Sequence, residues 1–502
     1  MAAAILVPTV AAGGTVWVLR MGSPEETADS YLRAWNKQDY GAMRELVADP
    51  PADFTRWLQR FRTDLRLREA TFERNASAED RGDAVTFHAD LRGPRDWDYD
   101  GELRLVKRVG GWKVAWTPAA IHPELKPGRS LRLVTVKRDP TPVLAADGDR
   151  IDTPGTPGSV QQLVEGVKQT YPDRFGTRDD ARIDLYQGEE LVKTLVKPAS
   201  GTPLKTTIDL RVHAAGAKAL EETSKPASLV ALRPSTGEML AVVNKPGGFN
   251  RALLGKYPPG STFKVVTASA LVADGVEPGQ QVECPPEQNI GGFPFHNAGF
   301  HDYGTLSFRD AFAHSCNTTF GAMGVAELGK GRLAEVAASF GFGAAITPGV
   351  PAVKAEFPAP KDDTDLASAS IGQGRVLASP LNMASVAAAI ADGSWRPPRL
   401  VAEKLMPDRT LRPRPLEADV VRALRQLMPA VVTDGTAQAV RFPAGTAGKT
   451  GTAEYGSGKE PPAHSWFVGY KGDLAFAVVV EGGGAGSAVA APIAARFLNA
   501  LA

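Results

Sequence analysis

The sequence predicts a multidomain α/β protein in four parts: an N-terminal membrane anchor over 1–20, a small α+β domain over 23–123, a linker or pedestal over 125–203, and a C-terminal domain over 205–502 in which a mainly antiparallel sheet is flanked by helices. Three observations carry that division. A chain of 502 residues exceeds what a single core holds, at about 150 residues per domain. The stretch Met1 to Leu19 carries no charged residue. In the last part, strand-like patterns stand at both ends with Ala-rich helical stretches between them, so its sheet must be assembled from distant segments.

The first run is rich in Ala, Val, Ile and Leu and stops at Arg20, before the polar Ser23-Pro24-Glu25-Glu26. At about 1.5 Å per residue it is just long enough to span a bilayer as a helix. It reads as a single-pass membrane anchor, whose orientation the one flanking Arg does not fix. Pro8 and the Gly13-Gly14 pair interrupt the helical pattern, and the basic leader of a signal peptide is missing. A cleaved leader and a buried helix stand as alternatives. Lys+Arg 57 against Asp+Glu 56 leaves no basic excess, which argues against nucleic acid as a partner. Two cysteines, Cys284 and Cys316, exclude a disulfide-rich scaffold, and seven histidines show no metal-ligand spacing, so no metal or cofactor is expected. Whether the two cysteines pair is left open by the sequence.

In the second part Ser23-Pro24-Glu25-Glu26 reads as a capping box, followed by Ala28, Tyr31, Leu32 and Trp35 at helical spacing. Val85, Phe87, Ala89 and Leu91 then alternate as a half-buried strand. Leu103 and Leu105 lead into the turn signal Gly110-Gly111, after which Trp112, Val114 and Trp116 alternate again. A helical start followed by curled antiparallel strands resembles the nuclear transport factor 2-like cone, with a spacer or docking role. From Leu125 to Pro203 the chain is rich in Pro, Gly and Asp. Beyond Lys205, Ser228–Arg233, the turn Pro234-Ser235-Thr236-Gly237 and Glu238–Asn244 form a hairpin pattern, and Ser465–Tyr470 and Leu474–Glu481 supply late strands.

The chemistry lies in three short segments. In Tyr257-Pro258-Pro259-Gly260-Ser261-Thr262-Phe263-Lys264 the Pro-Pro-Gly stretch cannot continue a helix, whereas Val265 to Ala273 suits one. Ser261 therefore sits at a helix start, where the dipole and free N–H groups favour developing negative charge. Lys264, three residues on, shares its face. A serine hydroxyl needs a base to become a useful nucleophile, and a lysine is one only if desolvation or another cation lowers its pKa. Ser315-Cys316-Asn317 follows 54 residues after Ser261, and Lys449-Thr450-Gly451-Thr452 begins 134 residues after Ser315. S-x-x-K is common by chance, but the three in this order mark penicillin-interacting serine enzymes.

These motifs, with Ile371-Gly372-Gln373-Gly374, Ser379-Pro380-Leu381-Asn382-Met383-Ala384 and Ser465-Trp466-Phe467-Val468-Gly469-Tyr470, resemble the transpeptidase domain of a class B penicillin-binding protein over about 205–502. The resemblance implies a serine-type D-Ala-D-Ala transpeptidase/carboxypeptidase that cross-links peptidoglycan stem peptides and is acylated by β-lactams. It implies roles in turn. Ser261 is the nucleophile and Lys264 the acylation base. Ser315 relays a proton to the leaving D-Ala. Asn317 holds the substrate amide and the lysine. Lys449, Thr450 and Thr452 bind the terminal carboxylate, the N–H groups of Ser261 and Thr452 form the oxyanion hole, and Gly451 leaves room for substrate along the strand. A separate glycosyltransferase is the implied partner, since no such segment precedes the linker.

His314, His464 and Trp466 read as packing or surface residues, Glu454 as a structural hydrogen-bonding group, and Asp362-Asp363-Thr364-Asp365 as a solvated loop. A serine β-lactamase shares two of the motifs. A class A enzyme, however, needs a Glu four residues before an Asn, and the only Asn between Asn317 and Lys449 is Asn382, with Ala378 at the required position. A non-catalytic β-lactam-binding scaffold is the other rival, and it has no reason to keep every motif residue.

Overall fold

The computed structural model describes residues 22–75, 82–137, 140–176, 179–199, 201–456 and 461–502, together with the backbone of 10–11 and 14–15. Its compact units are 1–140 with 176–201, and 141–175 with 202–502.

In the first unit the helix Pro24–Asn36 opens with the expected reciprocal cap: the Glu26 N–H donates to Ser23 Oγ at 3.1 Å, and the Ser23 N–H donates to Glu26 Oε2 at 3.2 Å. Its apolar face buries Ala28, Tyr31, Leu32 and Trp35, and Trp35 stacks on Phe72 with ring centroids 3.7 Å apart. Four antiparallel strands, Glu69–Arg74, Ala84–Arg92, Trp97–Arg108 and Gly111–Val114, pair in sequence order, the last two joined at Gly110 and Gly111 with φ of 97° and 132°. Such left-handed backbone is what glycine supplies at a hairpin turn.

The stretch 125–203 behaves differently from one pedestal. Arg129–Lys137, Asp179–Gln187 and Glu190–Val196 form a three-stranded antiparallel sheet whose Ile183 and Leu185 join the core of the first unit. The intervening helix Gly158–Thr170 belongs to the second unit and buries Val160, Leu163, Val164 and Val167 there. Leu131, Ile183 and Leu185 on the strands, and Val160, Leu163, Val164 and Val167 at helical spacing, each need a core to cover them.

The second unit is organised on one five-stranded antiparallel sheet in the order Glu238–Lys245, Ala227–Arg233, Leu474–Val480, Ala463–Lys471, Ala447–Glu454. The early hairpin thus pairs with the last strand, Ala227 opposite Val480. Helices Leu210–Leu220, Pro380–Asp392 and Ala490–Asn499 pack against the sheet. Lys264–Ala273 is apolar almost all round and correspondingly buried, as a helix inside a large core must be. The Lys449 motif lies on the edge strand, with only one side of its backbone ladder occupied.

Two expectations need correction. Among the described residues no helix is long and apolar enough to cross a membrane. Within 1–20, Val10–Ala11 pairs antiparallel with Gly14–Thr15, which is incompatible with one continuous helix. The single-pass anchor, and the membrane localisation drawn from it, are therefore not found; hydropathy registered the composition of the run, whereas Pro8 and Gly13-Gly14 disfavour the helix. The other residues of that run lie outside the described residues. The acidic run at 362–365 is also no loose loop: Asp362 caps the helix Asp363–Ser370, and Asp365 pairs with Arg375.

Candidate active site

The nucleophile segment is held by close backbone approaches. Gly260–Phe263 forms a 3₁₀ turn that runs into the helix Lys264–Ala273, so Ser261 stands at its mouth. Gly260 has φ 53°, and a Cβ there would lie 2.7 Å from the Thr452 carbonyl oxygen. Its N–H donates to the Gly372 carbonyl at 2.9 Å, and a Cβ on Gly372 would meet the Gly260 carbonyl oxygen at 2.1 Å. Three segments far apart in sequence can cross here only because glycine has no side chain.

Lys264 is fully buried, and its Nζ lies 3.1 Å from Ser261 Oγ, 3.2 Å from Ser315 Oγ, 2.7 Å from the Ser315 carbonyl oxygen and 2.7 Å from Asn317 Oδ1. Burial first, and the nearby Lys449 second, push its pKa well below the usual lysine range. A neutral amine in that position is able to accept a proton from a serine hydroxyl, and it lies within hydrogen-bond distance of both serines. Ser315 adopts φ 63°, a left-handed conformation rare for serine, and this turns its carbonyl and its hydroxyl onto the same amine.

Asn317 is placed by a residue the sequence did not single out. Asn297, buried on the loop after the hairpin Glu287–Ile290 and Phe293–His296, accepts from the backbone N–H of Asn317 at 2.8 Å and of Thr318 at 3.3 Å. Its own amide donates to the carbonyls of Pro285 at 2.8 Å and His301 at 3.0 Å. It thereby satisfies free N–H groups at the start of the helix Asn317–Met323. Beside it, Cys284 and Cys316 are joined in a disulfide, which settles the pairing left open above and ties the second motif to the strand Gln281–Cys284.

Lys449 is also fully buried; burial brings its pKa down to about 7, and its Nζ lies 5.6 Å from the centroid of the Phe312 ring. Thr450 Oγ1 lies 2.6 Å from Thr436 Oγ1, and Thr452 Oγ1 accepts from the Gly486 N–H at 3.2 Å. Thr436 too escaped the sequence reading, although Gly435 signalled the close approach: a Cβ there would stand 2.3 Å from the Ala313 carbonyl oxygen. A Cβ on Gly451 would come within 2.8 Å of Thr262 Cγ2 and 3.1 Å of the Pro259 carbonyl oxygen. The packing of the motif strand on the Ser261 turn thus itself calls for glycine at this position.

Together these elements border a cleft of about 530 Å³ lined by Ser261, Ser315, Asn317, Thr450, Gly451 and Thr452, with the buried Lys264 amine bonded behind Ser261, Ser315 and Asn317 and the Phe293–His296 strand also in the lining. Trp466 is buried behind Gly451, and His464 stacks on Tyr455, so both pack as expected. His314 stacks on Tyr303 at the rim. Glu454 lines the cleft and makes no side-chain hydrogen bond or ion pair among the described residues, contrary to the structural bond expected of it.

Residues 227–499 match the penicillin binding protein transpeptidase domain, and 23–129 match the NTF2-like N-terminal transpeptidase domain. The chain belongs to the penicillin-binding protein transpeptidase family. As in class B penicillin-binding proteins, a serine D,D-transpeptidase domain follows an NTF2-like domain. The peptidoglycan D,D-transpeptidase PbpA of Mycolicibacterium smegmatis is 34% identical over 53% of this chain, which spans 65% of that relative's length. PbpA of Mycobacterium tuberculosis is 32% identical over 60% of the chain and 72% of its own. Among solved structures, penicillin-binding protein A of Mycobacterium tuberculosis as a ceftriaxone acyl-enzyme complex matches with a TM-score of 0.54 at 30% identity, covering 61% of this chain and 81% of that one. The D,D-transpeptidase domain of a peptidoglycan glycosyltransferase from Eggerthella lenta matches with 0.59 at 25% identity, over 72% and 98%. Binding of stem peptides and β-lactams goes with this penicillin-binding family.

Proposed function

We propose that the chain is a peptidoglycan D,D-transpeptidase that works through an acyl-enzyme on Ser261 and is trapped at that stage by β-lactams. The observation that carries this reading is a fully buried Lys264 amine within hydrogen-bond distance of both Ser261 Oγ and Ser315 Oγ. In acylation Ser261 Oγ attacks the penultimate D-Ala carbonyl and its proton passes to Lys264. Ser315 then returns a proton to the departing D-Ala as the amide C–N bond breaks. Asn317 orients Lys264 and the substrate amide. Lys449, Thr450 and Thr452 receive the terminal carboxylate, and the N–H groups of Ser261 and Thr452 receive the oxyanion. The edge position of the Ala447–Glu454 strand supports this, since its free backbone groups suit an extended peptide.

The division of labour follows from the same features. Residues 205–502 carry the catalysis, and the α+β domain over 23–123 serves as a spacer or docking module, supported by the absence of any comparable cluster of buried cations and nucleophiles among its described residues. A separate glycosyltransferase would supply the glycan strands. Asn382 bonds back to Ser379 at the start of the helix Pro380–Asp392, so it does not supply the water-activating pair of a class A β-lactamase. Water at the ester therefore lacks the roughly 10²–10⁴-fold that a positioned general base contributes.

Intact-mass measurement after exposure to penicillin G tests the reading. A single adduct on Ser261 lasting on the order of minutes to hours is expected from the missing base. Turnover within seconds with steady drug consumption would support a β-lactamase instead.

A further inference from the structure

On the Ala447–Glu454 strand, Thr450, Thr452 and Glu454 alternate on one face, and all three line the cleft. The two hydroxyls are engaged within the protein, by Thr436 and by the Gly486 N–H. Glu454 is exposed, has no partner of its own, and is the only carboxylate lining the cleft among the described residues, where no lysine or arginine lines it either. Lys264 and Lys449 are buried and do not line the cleft. The one carboxylate charge facing the cleft therefore belongs to the Glu454 end. Ser261 stands beside Thr452, because its neighbour Gly260 abuts the Thr452 carbonyl. Glu454 is one strand repeat further, about 6.6–6.8 Å along the backbone, which is within reach of an amine approaching an ester on Ser261.

We infer that Glu454 receives the acceptor amine: its carboxylate holds the ammonium of the incoming stem peptide beside the Ser261 acyl ester, and so favours transfer to an amine over transfer to water. This rests on the transpeptidase reading and adds the group that selects the second substrate. The held ammonium gives its surplus proton to water. The freed lone pair then bonds to the ester carbonyl carbon as the bond to Ser261 Oγ breaks, and a proton from the new amide nitrogen returns to Oγ by way of the Lys264–Ser315 path. A carboxylate attracts a cation but not a neutral nucleophile, and that contrast makes the role testable.

The experiment compares wild type, Glu454→Gln and Glu454→Asp using a D-Ala thioester donor, with glycinamide (largely cationic at neutral pH) and hydroxylamine (largely neutral) as acceptors. In Glu454→Gln, capture of glycinamide relative to hydrolysis should fall about three- to tenfold, through the acceptor KM. Hydroxylamine capture, hydrolysis and penicillin labelling of Ser261 should stay near wild type. Glu454→Asp should recover part of the loss, and added salt should erase the wild-type advantage. Unchanged glycinamide capture would overturn the inference, and so would a parallel fall for both acceptors and for penicillin labelling, which would mark Glu454 as structural. Failure of wild type to label at Ser261 would instead remove the underlying reading.

Discussion

The first unit holds a cavity of about 480 Å³ and the second a cleft of about 530 Å³, so size does not distinguish them. Their charges do. Around the first cavity Arg132 grips Glu189 with two hydrogen bonds of 2.9 Å, Arg129 lies 3.5 Å from Glu124, and the Trp57 indole donates to Asp53 at 3.1 Å. These groups keep solvent contact and their ordinary ion-pair chemistry. Under the cleft, two lysines are wholly desolvated within one cluster, one beside a serine at a strained turn. Burying a cation without a carboxylate costs several kcal/mol unless it gives up its proton, and the loss of that proton is what makes the amine a base. Chemistry is marked by unfavourable placement, not by room.

The strongest way to break this comparison is Ser261→Ala. It should abolish penicillin labelling and peptide transfer by more than about 10³-fold, because the coupled set loses its nucleophile. The fold, read by circular dichroism, should be unaffected. Labelling that persists on another serine would dissolve the contrast between the two cavities.

Lys449 sharpens the comparison through pH. Its ammonium is complete below about 7 and lost above it, so second-order acylation by a carboxylate-bearing β-lactam should decline as pH rises through about 7. Lys264 has the opposite sign: its depressed pKa means that the base form is gained as pH rises, giving the ascending limb. Lys449→Ala should slow carboxylate-bearing drugs by roughly 10–150-fold on the acid side, with a smaller penalty at higher pH. A descending limb of equal size for an analogue without the carboxylate would show that Lys449 does not read it.

The smallest effect is expected in the first unit. Arg132→Ala removes a solvent-exposed pair, and exposed pairs contribute little. Its thermal midpoint and the rate of Ser261 labelling should match wild type. A slowed labelling rate would mean that the charges around this cavity serve the cleft after all.

What could be read from the sequence was whatever chemistry restricts to particular residue types. Ser261, Lys264, Ser315, Asn317 and Lys449 stood out because few side chains suit the roles proposed for them, and Ser23-Pro24-Glu25-Glu26 because capping is local. Asn297 was not visible, since a buried asparagine that satisfies a helix start 20 residues away leaves no periodic trace. The split of 125–203 was hidden for a related reason: Leu131 pairs with Leu185, and only tertiary pairing reveals it. At the N-terminus, hydropathy alone outweighed Pro8 and Gly13-Gly14, and the antiparallel pairing of 10–11 with 14–15 reversed that weighting.

The left-handed turn at Ser315 bears on how such a protein can evolve. At φ 63° a glycine would rest more comfortably than a serine, so the backbone favours a residue that the proposed proton path cannot use. Selection for durability alone would drift this position toward glycine and silence the catalyst while the fold improved. If the hydroxyl serves the relay proposed for it, the identity of residue 315 is a record of use rather than of stability.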